Sequence, residues 1–277
     1  MKIAIAGLGL IGGSFAKAVK ARTAHSVAGF DRSEAAGRAA LEAGAADSLG
    51  VAGFAEADIV LVALYPRASA EFIRAHAQSF KRGALVVDLC GVKRFVCERV
   101  APLLSDSGLA FIGGHPMAGR EHSGFDHALA TLFDKADMIL TPNEDTPAEA
   151  LRTACDFFLS LGFGRITITT PERHDEMIAL TSQLAHVVSS AYAQNPLARD
   201  FSGFSAGSFG DMTRVAKLNE EMWTELFLLN KDFLTEQIDV ILKNLKDFRK
   251  YIAEGDAKRL REKLKQGRLI KETLDVT

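Results

Sequence analysis

Cysteine is scarce: Cys90, Cys97 and Cys155 are the only three in 277 residues, and no two of them form a CxxC pair. An odd and sparse set excludes a disulfide framework and is the usage of a reducing compartment, so a cytoplasmic protein is expected. Long apolar runs are missing too. The stretch IVLVALY at 59–65 is among the strongest, and it is far too short to span a bilayer. Neither sign of charge is in excess: 33 Lys and Arg face 35 Asp and Glu, for a formal net charge of -2. That balance gives no electrostatic ground for a nucleic acid or an anionic membrane as partner. HExxH and Cys/His pairs at ligand spacing are absent, so no metal is expected. Nor is a serine nucleophile elbow of the GxSxG type expected.

What is present is ordinary material for a globular chain. With 48% hydrophobic and 25% charged residues the chain supports a substantial core, and its length allows two domains. Up to about residue 170, apolar runs at 2–6, 26–30, 59–63, 84–88, 109–112, 138–140 and 166–168 alternate with helical patterns. The first two of those helices cover 11–21 and 33–43, the second capped by Ser33. Continuous apolar strands between helices predict a parallel sheet covered on both faces. After Thr170-Pro171 the strand signals stop. Pro171 suits a helix start, and a helical pattern runs on to Tyr192. Residues 194–196 and 201–210, rich in Gly, Ser and Pro, read as irregular. Beyond them Leu226, Leu229, Phe233, Leu234, Ile238, Ile241, Leu242, Leu245 and Phe248 recur at helical spacing. The stripe is too wide for a helix with one wet face, and it suits a helical core, a subunit interface, or both. From Asp256 the chain reads as a charged, solvated helix. An α/β domain of 1–170 and an all-α domain of 171–277 are therefore expected.

The opening MKIAIAGLGLIGGSFAKAVK has two readings. A lysine before small apolar residues resembles an export signal, yet such a signal has no need of glycines at 7, 9, 12 and 13, and an α/β pattern continues behind it. The second reading is a dinucleotide cradle. A strand precedes Gly7-Leu8-Gly9-Leu10-Ile11-Gly12, a helix follows, and Asp31 ends the next strand nineteen residues after Gly12. Gly7 permits the tight turn, Gly9 lets backbone approach the pyrophosphate, and Gly12 lets helix and strand pack closely. Leu10 and Ile11 open the helix whose free N–H groups face the phosphates. Asp31 would accept from the ribose hydroxyls and repel a 2′-phosphate, which favours NAD. Arg32 is able to stack on adenine or to pair with a 2′-phosphate instead. A plain turn residue is the alternative for Asp31.

Two of the seven histidines stand out. His115 lies in Gly113-Gly114-His115-Pro116-Met117-Ala118-Gly119, straight after an apolar strand, where open α/β sheets bind ligands. His186 lies mid-helix in Ser182-Gln183-Leu184-Ala185-His186. Together with the glycine loop, Gly29-Phe30-Asp31-Arg32, His174-Asp175, Asp211-Met212-Thr213-Arg214-Val215-Ala216, Glu221-Met222-Trp223 and Asn230, these stretches resemble the prephenate and arogenate dehydrogenase family of tyrosine biosynthesis. The glycine loop alone is unspecific; the stretches around His115 and Arg214 are not.

The resemblance implies a Rossmann-type doubly wound sheet followed by an all-α dimerisation domain, a homodimer, and oxidative decarboxylation of prephenate with hydride transfer to NAD. Arogenate as substrate is the nearest alternative, and a non-catalytic NAD-binding regulator a more distant one. It implies that His115 takes the proton of the substrate's ring hydroxyl. Arg214 would grip a substrate carboxylate. His186 would position the substrate, Trp223 would line its pocket or serve as core, and Arg120 would contact a carboxylate or stay solvated. The sequence departs from the family at Gly91, where many members carry a serine that assists the histidine. Water, another hydroxyl or Cys90 remains as the substitute. No regulatory domain is expected after Thr277, so any feedback by tyrosine would act at the active site.

Overall fold

The computed structural model describes Met1–Asp275; the last two residues of the expected 171–277 domain lie outside the described ones. In chain order the main elements are β1 (Lys2–Ala6), α1 (Leu10–Arg22), β2 (Ser26–Phe30), α2 (Glu34–Glu42), β3 (Ser48–Leu49), β4 (Ile59–Val62), α3 (Pro66–His76), β5 (Leu85–Asp88), α4 (Arg94–Asp106), β6 (Ala110–Pro116), β7 (Asp137–Pro142), α5 (Ala148–Ser160) and β8 (Arg165–Ile168). Among the described residues only helices follow: α6 (Pro171–Ile178), α7 (Leu184–Ala193), α8 (Ser208–Thr213), α9 (Glu220–Leu229), α10 (Lys231–Ala253) and α11 (Ala257–Leu274). The strands form one sheet in the order β3-β2-β1-β4-β5-β6-β7-β8. The order reverses between β1 and β4, and that switch point opens the crevice where such sheets take ligands.

Strand composition explains the burial. Ile3 and Ile5 of β1, Ile59 and Leu61 of β4, and Leu85 and Val87 of β5 enter the core on one face. Ala4, Ala6, Val60, Val62 and Val86 enter the core on the other. Side chains alternate along a strand, so a strand covered on both sides has no polar positions and reads as a continuous apolar run. Phenylalanines fill the first layer, with Phe15 stacked on Phe133 at 4.1 Å between ring centres.

Three details differ from the sequence expectation. The sheet is not wholly parallel, because β7 runs antiparallel to β6, with His115 opposite Ile139. The connection between them holds no α-helix, only a 3-10 turn at Phe125–His127, and an antiparallel pair needs no crossover helix. The helix after Pro171 is also not uniform. Residues Ala179–Gln183 form a π-helical turn between α6 and α7, a widening common at functional sites. The stripe from Leu226 to Phe248 is likewise broken at Asn230, between α9 and α10.

By compactness the chain divides into Met1–Asn230 and Lys231–Thr277. The second unit is a helical pair in which Lys263 Nζ reaches Asn244 Oδ1 at 2.8 Å and Asp247 Oδ2 at 3.1 Å. It leaves Val240, Leu245, Ile252 and Leu264 exposed. No helix among the described residues is long and apolar enough to cross a membrane.

The glycine loop is sterically closed except at one point. Gly7 has φ +88°, and a Cβ there would lie 2.4 Å from the Ala63 carbonyl oxygen. A Cβ on Gly12 would lie 1.8 Å from the Gly7 carbonyl oxygen. Gly12→Ala must therefore force the loop from the helix, and a loss of at least about 2 kcal/mol is expected, read from the urea midpoint. An unchanged midpoint would mean the loop accommodates a methyl group.

Candidate active site

The carboxyl ends of β1, β4, β5 and β6 share one edge of the sheet, and the loops that leave them build the site. At β1, Gly9 begins α1, and a Cβ placed on it would meet nothing within 4 Å. The open space lies over free helix N–H groups, the surroundings a phosphate needs. Leu10 and Ile11, both partly buried, form the first turn beneath it. Asp31 follows β2 and accepts from the Leu8 N–H at 2.7 Å and the Ser33 N–H at 2.8 Å, which fixes its carboxylate beside the loop. Arg32 is exposed.

His115 belongs to β6 itself, one residue before its end. The two glycines before it are a packing requirement. A Cβ on Gly113 would lie 2.3 Å from Thr141 Oγ1, and one on Gly114 would lie 2.7 Å from Met138 Cε. His115 Nδ1 lies 2.8 Å from His174 Nε2, and His174 Nδ1 lies 2.7 Å from Asp175 Oδ1. Burial, then electrostatic interaction with His174 and Lys93, holds the His115 ring well below its ordinary 6.5, in the neutral form a base requires.

Beneath His115 lies a buried ion pair. Lys93 Nζ donates to Asp88 Oδ1 and to the Gly114 carbonyl, and both charged side chains are fully buried. Burial pulls Lys93 down, Asp88 and the neighbouring Cys90 and Cys97 pull it up, and the balance is upward. Asp88 Oδ2 has no hydrogen-bond partner. Cys90 turns its Sγ to the Leu64 carbonyl at 3.3 Å and to Ser69 Oγ at 3.2 Å, and burial followed by Asp88 pushes the thiol well up. It is therefore not a stand-in for the family serine. Gly91 occupies that place: a Cβ on it would lie 3.9 Å from His115 Nε2 and 3.3 Å from Leu226 Cδ2.

His186, Arg214 and Trp223 come together on the helical side. His186 Nδ1 donates to the Ser182 carbonyl at 2.8 Å, and its ring lies 3.9 Å from that of Trp223. Burial lowers its pKa, the Ser182 bond opposes that, and the Arg214 charge adds to it. His186 and Arg214, with Ser182, Asp211 and Val215, line a cleft of about 410 Å³. Arg214 is exposed and faces Glu121 Oε1 at 3.7 Å. Arg120, beside Glu121, is exposed on the loop after β6. Helix α9 joins the two groups, since Trp223 and Leu226 are three residues apart and share a face.

Sequence reasoning assigned no role to His174, Asp175, Lys93 or Glu121. His174 and Asp175 stood as a motif, and their partners lie at long sequence separation: 59 residues for His115–His174 and 82 for Lys93–Asp175. The letters GxSxG do occur, at 203–207, in an irregular stretch that no strand precedes, so they build no nucleophile elbow. No group of metal-binding side chains exists among the described residues.

Family models match both parts of the chain: the prephenate dehydrogenase nucleotide-binding domain over 15–167 and the prephenate dehydrogenase dimerization domain over 170–266. The chain belongs to the prephenate dehydrogenase family. It is 34% identical to the cyclohexadienyl dehydrogenase of Zymomonas mobilis, over 95% of this chain and 92% of that protein. Identity to the prephenate dehydrogenase of Bacillus subtilis is 31%, over 93% and 72%. Among solved structures, the prephenate dehydrogenase of Aquifex aeolicus, bound to hydroxyphenyl propionate and NAD+, superimposes with a TM-score of 0.88 at 26% identity, covering 99% and 98% of the two chains. The arogenate dehydrogenase of Synechocystis does so with a TM-score of 0.84 at 28% identity, covering 99% and 100%.

Proposed function

We propose that this chain is an NAD-dependent cytoplasmic dehydrogenase that converts prephenate to 4-hydroxyphenylpyruvate and carbon dioxide, working as a homodimer. The observation that carries the reading is His115, a histidine kept neutral at the carboxyl end of β6 with Nδ1 engaged by His174. Its Nε2, on the side of Gly91, is free to take the proton of the substrate's C4 hydroxyl. When bound, NAD supplies the acceptor for the hydride that leaves C4. The C1 carboxylate departs as carbon dioxide, its electron pair completes the aromatic ring, and His115 returns its proton to the phenolic oxygen. Gly7, Gly9, Leu10, Ile11 and Gly12 would cradle the pyrophosphate, with Asp31 on the ribose and Arg32 at the adenine edge.

Arg214 would hold a substrate carboxylate, His186 and Trp223 would wall the ring, and Arg120 would stand at the rim. Residues 1–170 are assigned to the dinucleotide and 171–277 to substrate and dimerisation. The exposed apolar side chains of α10 and α11 and the dimerization-domain match support the homodimer. Three free cysteines support a reducing location.

Arogenate is the second reading, favoured by the cyclohexadienyl and arogenate dehydrogenases among the relatives. Comparing kcat/KM for the two substrates, each with NAD and NADP, decides between them. Absence of NADH or NADPH formation from either would overturn the dehydrogenase reading, and tight NAD binding without turnover would favour a regulator. Arg214→Ala is expected to raise KM roughly 10- to 100-fold, the worth of a lost charge-assisted bond, with kcat nearly unchanged. A KM that stays put would remove Arg214 from substrate binding.

A further inference from the structure

Asp175 is surrounded by donors. Its Oδ1 accepts the Lys93 N–H at 2.7 Å and its Oδ2 the Arg94 N–H at 3.0 Å, both at the start of α4, where a side-chain acceptor takes the place of a preceding helical carbonyl. The Arg94 side chain adds Nε at 3.4 Å from Oδ2. Asn230 Nδ2 holds the backbone carbonyl of the same residue at 2.8 Å, and Gln183 Oε1 also at 2.8 Å. The carboxylate acts purely as an acceptor and cannot rotate. Its neighbour His174, 1% exposed, must then carry its hydrogen on Nδ1 to bond Asp175 Oδ1. Burial, outweighing Asp175, keeps the His174 ring below its ordinary 6.5 and therefore singly protonated. Nε2 of His174 is consequently a lone pair, and the 2.8 Å contact requires the hydrogen on His115 Nδ1. That leaves the lone pair of His115 on Nε2.

We propose that His174 and Asp175 are positioning residues that lock His115 in the Nδ1–H tautomer and so keep Nε2 bare to take a proton. Gly91 gives this arrangement its weight. A Cβ there would lie 3.9 Å from His115 Nε2, so a side chain at that position would be the obvious second support, and this chain has none. Orientation of His115 falls on its Nδ1 side, through a chain of two hydrogen bonds anchored at the start of α4. The kinetic part of this inference rests on the dehydrogenase reading; the tautomer does not.

Long-range 1H–15N spectra of the 15N-histidine-labelled protein, without substrate, test the tautomer directly. His115 and His174 are both expected with a protonated Nδ1 and a bare Nε2, and in His174→Phe the His115 signals are expected to lose that single form. A His115 with its hydrogen on Nε2, or one unaltered in His174→Phe, would overturn the proposal. In turnover, His174→Phe is expected to lower kcat about 10²-fold with KM for prephenate changed less than about threefold. His174→Gln, whose Oε1 still accepts from Nδ1–H, should recover at least about tenfold of that loss. Equal losses in two folded variants, or a loss confined to KM, would reduce His174 to core packing. The expected tautomer in a protein that turns over neither prephenate nor arogenate would sink the dehydrogenase reading and leave the positioning assignment standing.

Discussion

His115→Asn is expected to lower kcat by about 10²- to 10⁴-fold, the usual contribution of a proton acceptor in place. Asparagine is the informative substitution. Its amide N–H is able to bond His174 Nε2 as His115 Nδ1 does at 2.8 Å, so the packing beside α6 persists while the Nε2 lone pair is lost. NAD binding should be unchanged, because the glycine loop lies at the end of a different strand. The pH dependence gives an independent check. Burial, His174 and Lys93 all favour neutral His115, so its proton is lost well below 6.5. The reactive base form is present above that point and disappears as pH falls through it. The acidic limb of kcat/KM in the parent protein is therefore expected below pH 6.5 and is expected to vanish in the variant. An unchanged kcat, or an acidic limb above 6.5, would take His115 out of the proton transfer.

Lys93→Met is expected to destabilise the chain by about 3–5 kcal/mol, the cost of stripping one partner from a buried ion pair. Lys93 and Asp88 are both fully inaccessible, and Lys93 Nζ also satisfies the Gly114 carbonyl. Without the ammonium, Asp88 keeps only the Cys90 N–H on Oδ1, and Oδ2 already has no partner. The measurement is the urea midpoint at constant m-value. The double variant Asp88→Asn with Lys93→Met removes both charges together and should regain most of the loss. A loss below about 1 kcal/mol in the single variant would mean that Asp88 is already neutral or hydrated. Because Lys93 sits under Gly114, next to His115, kcat should fall along with stability.

The sequence by itself determined the features that depend on neighbours in the chain. Strand-long apolar runs cannot face water on either side, and β1, β4 and β5 duly feed one core with alternate residues and a second core with the rest. The glycine loop was legible because its constraint is local: Gly12 meets the carbonyl of Gly7, five residues away. His115 was legible as a strand-end histidine behind two glycines, and the family through motifs of contiguous letters. The environment of His115 was not legible. Its ring is fixed by His174 on α6, with Lys93 beneath and Gly91 on its Nε2 side beside Leu226, residues brought from α6, the loop between β5 and α4, and α9. The antiparallel β7, the π-helical turn before His186 and the Glu121–Arg214 pair belong to the same class. Hydrogen bonds across 59 or 82 residues leave no periodicity in the chain, because each partner alone is an ordinary histidine, lysine or aspartate. Tertiary packing alone decides which nitrogen of His115 carries the hydrogen, because that choice is made at Asp175 by the backbone N–H groups of Lys93 and Arg94 at the start of α4.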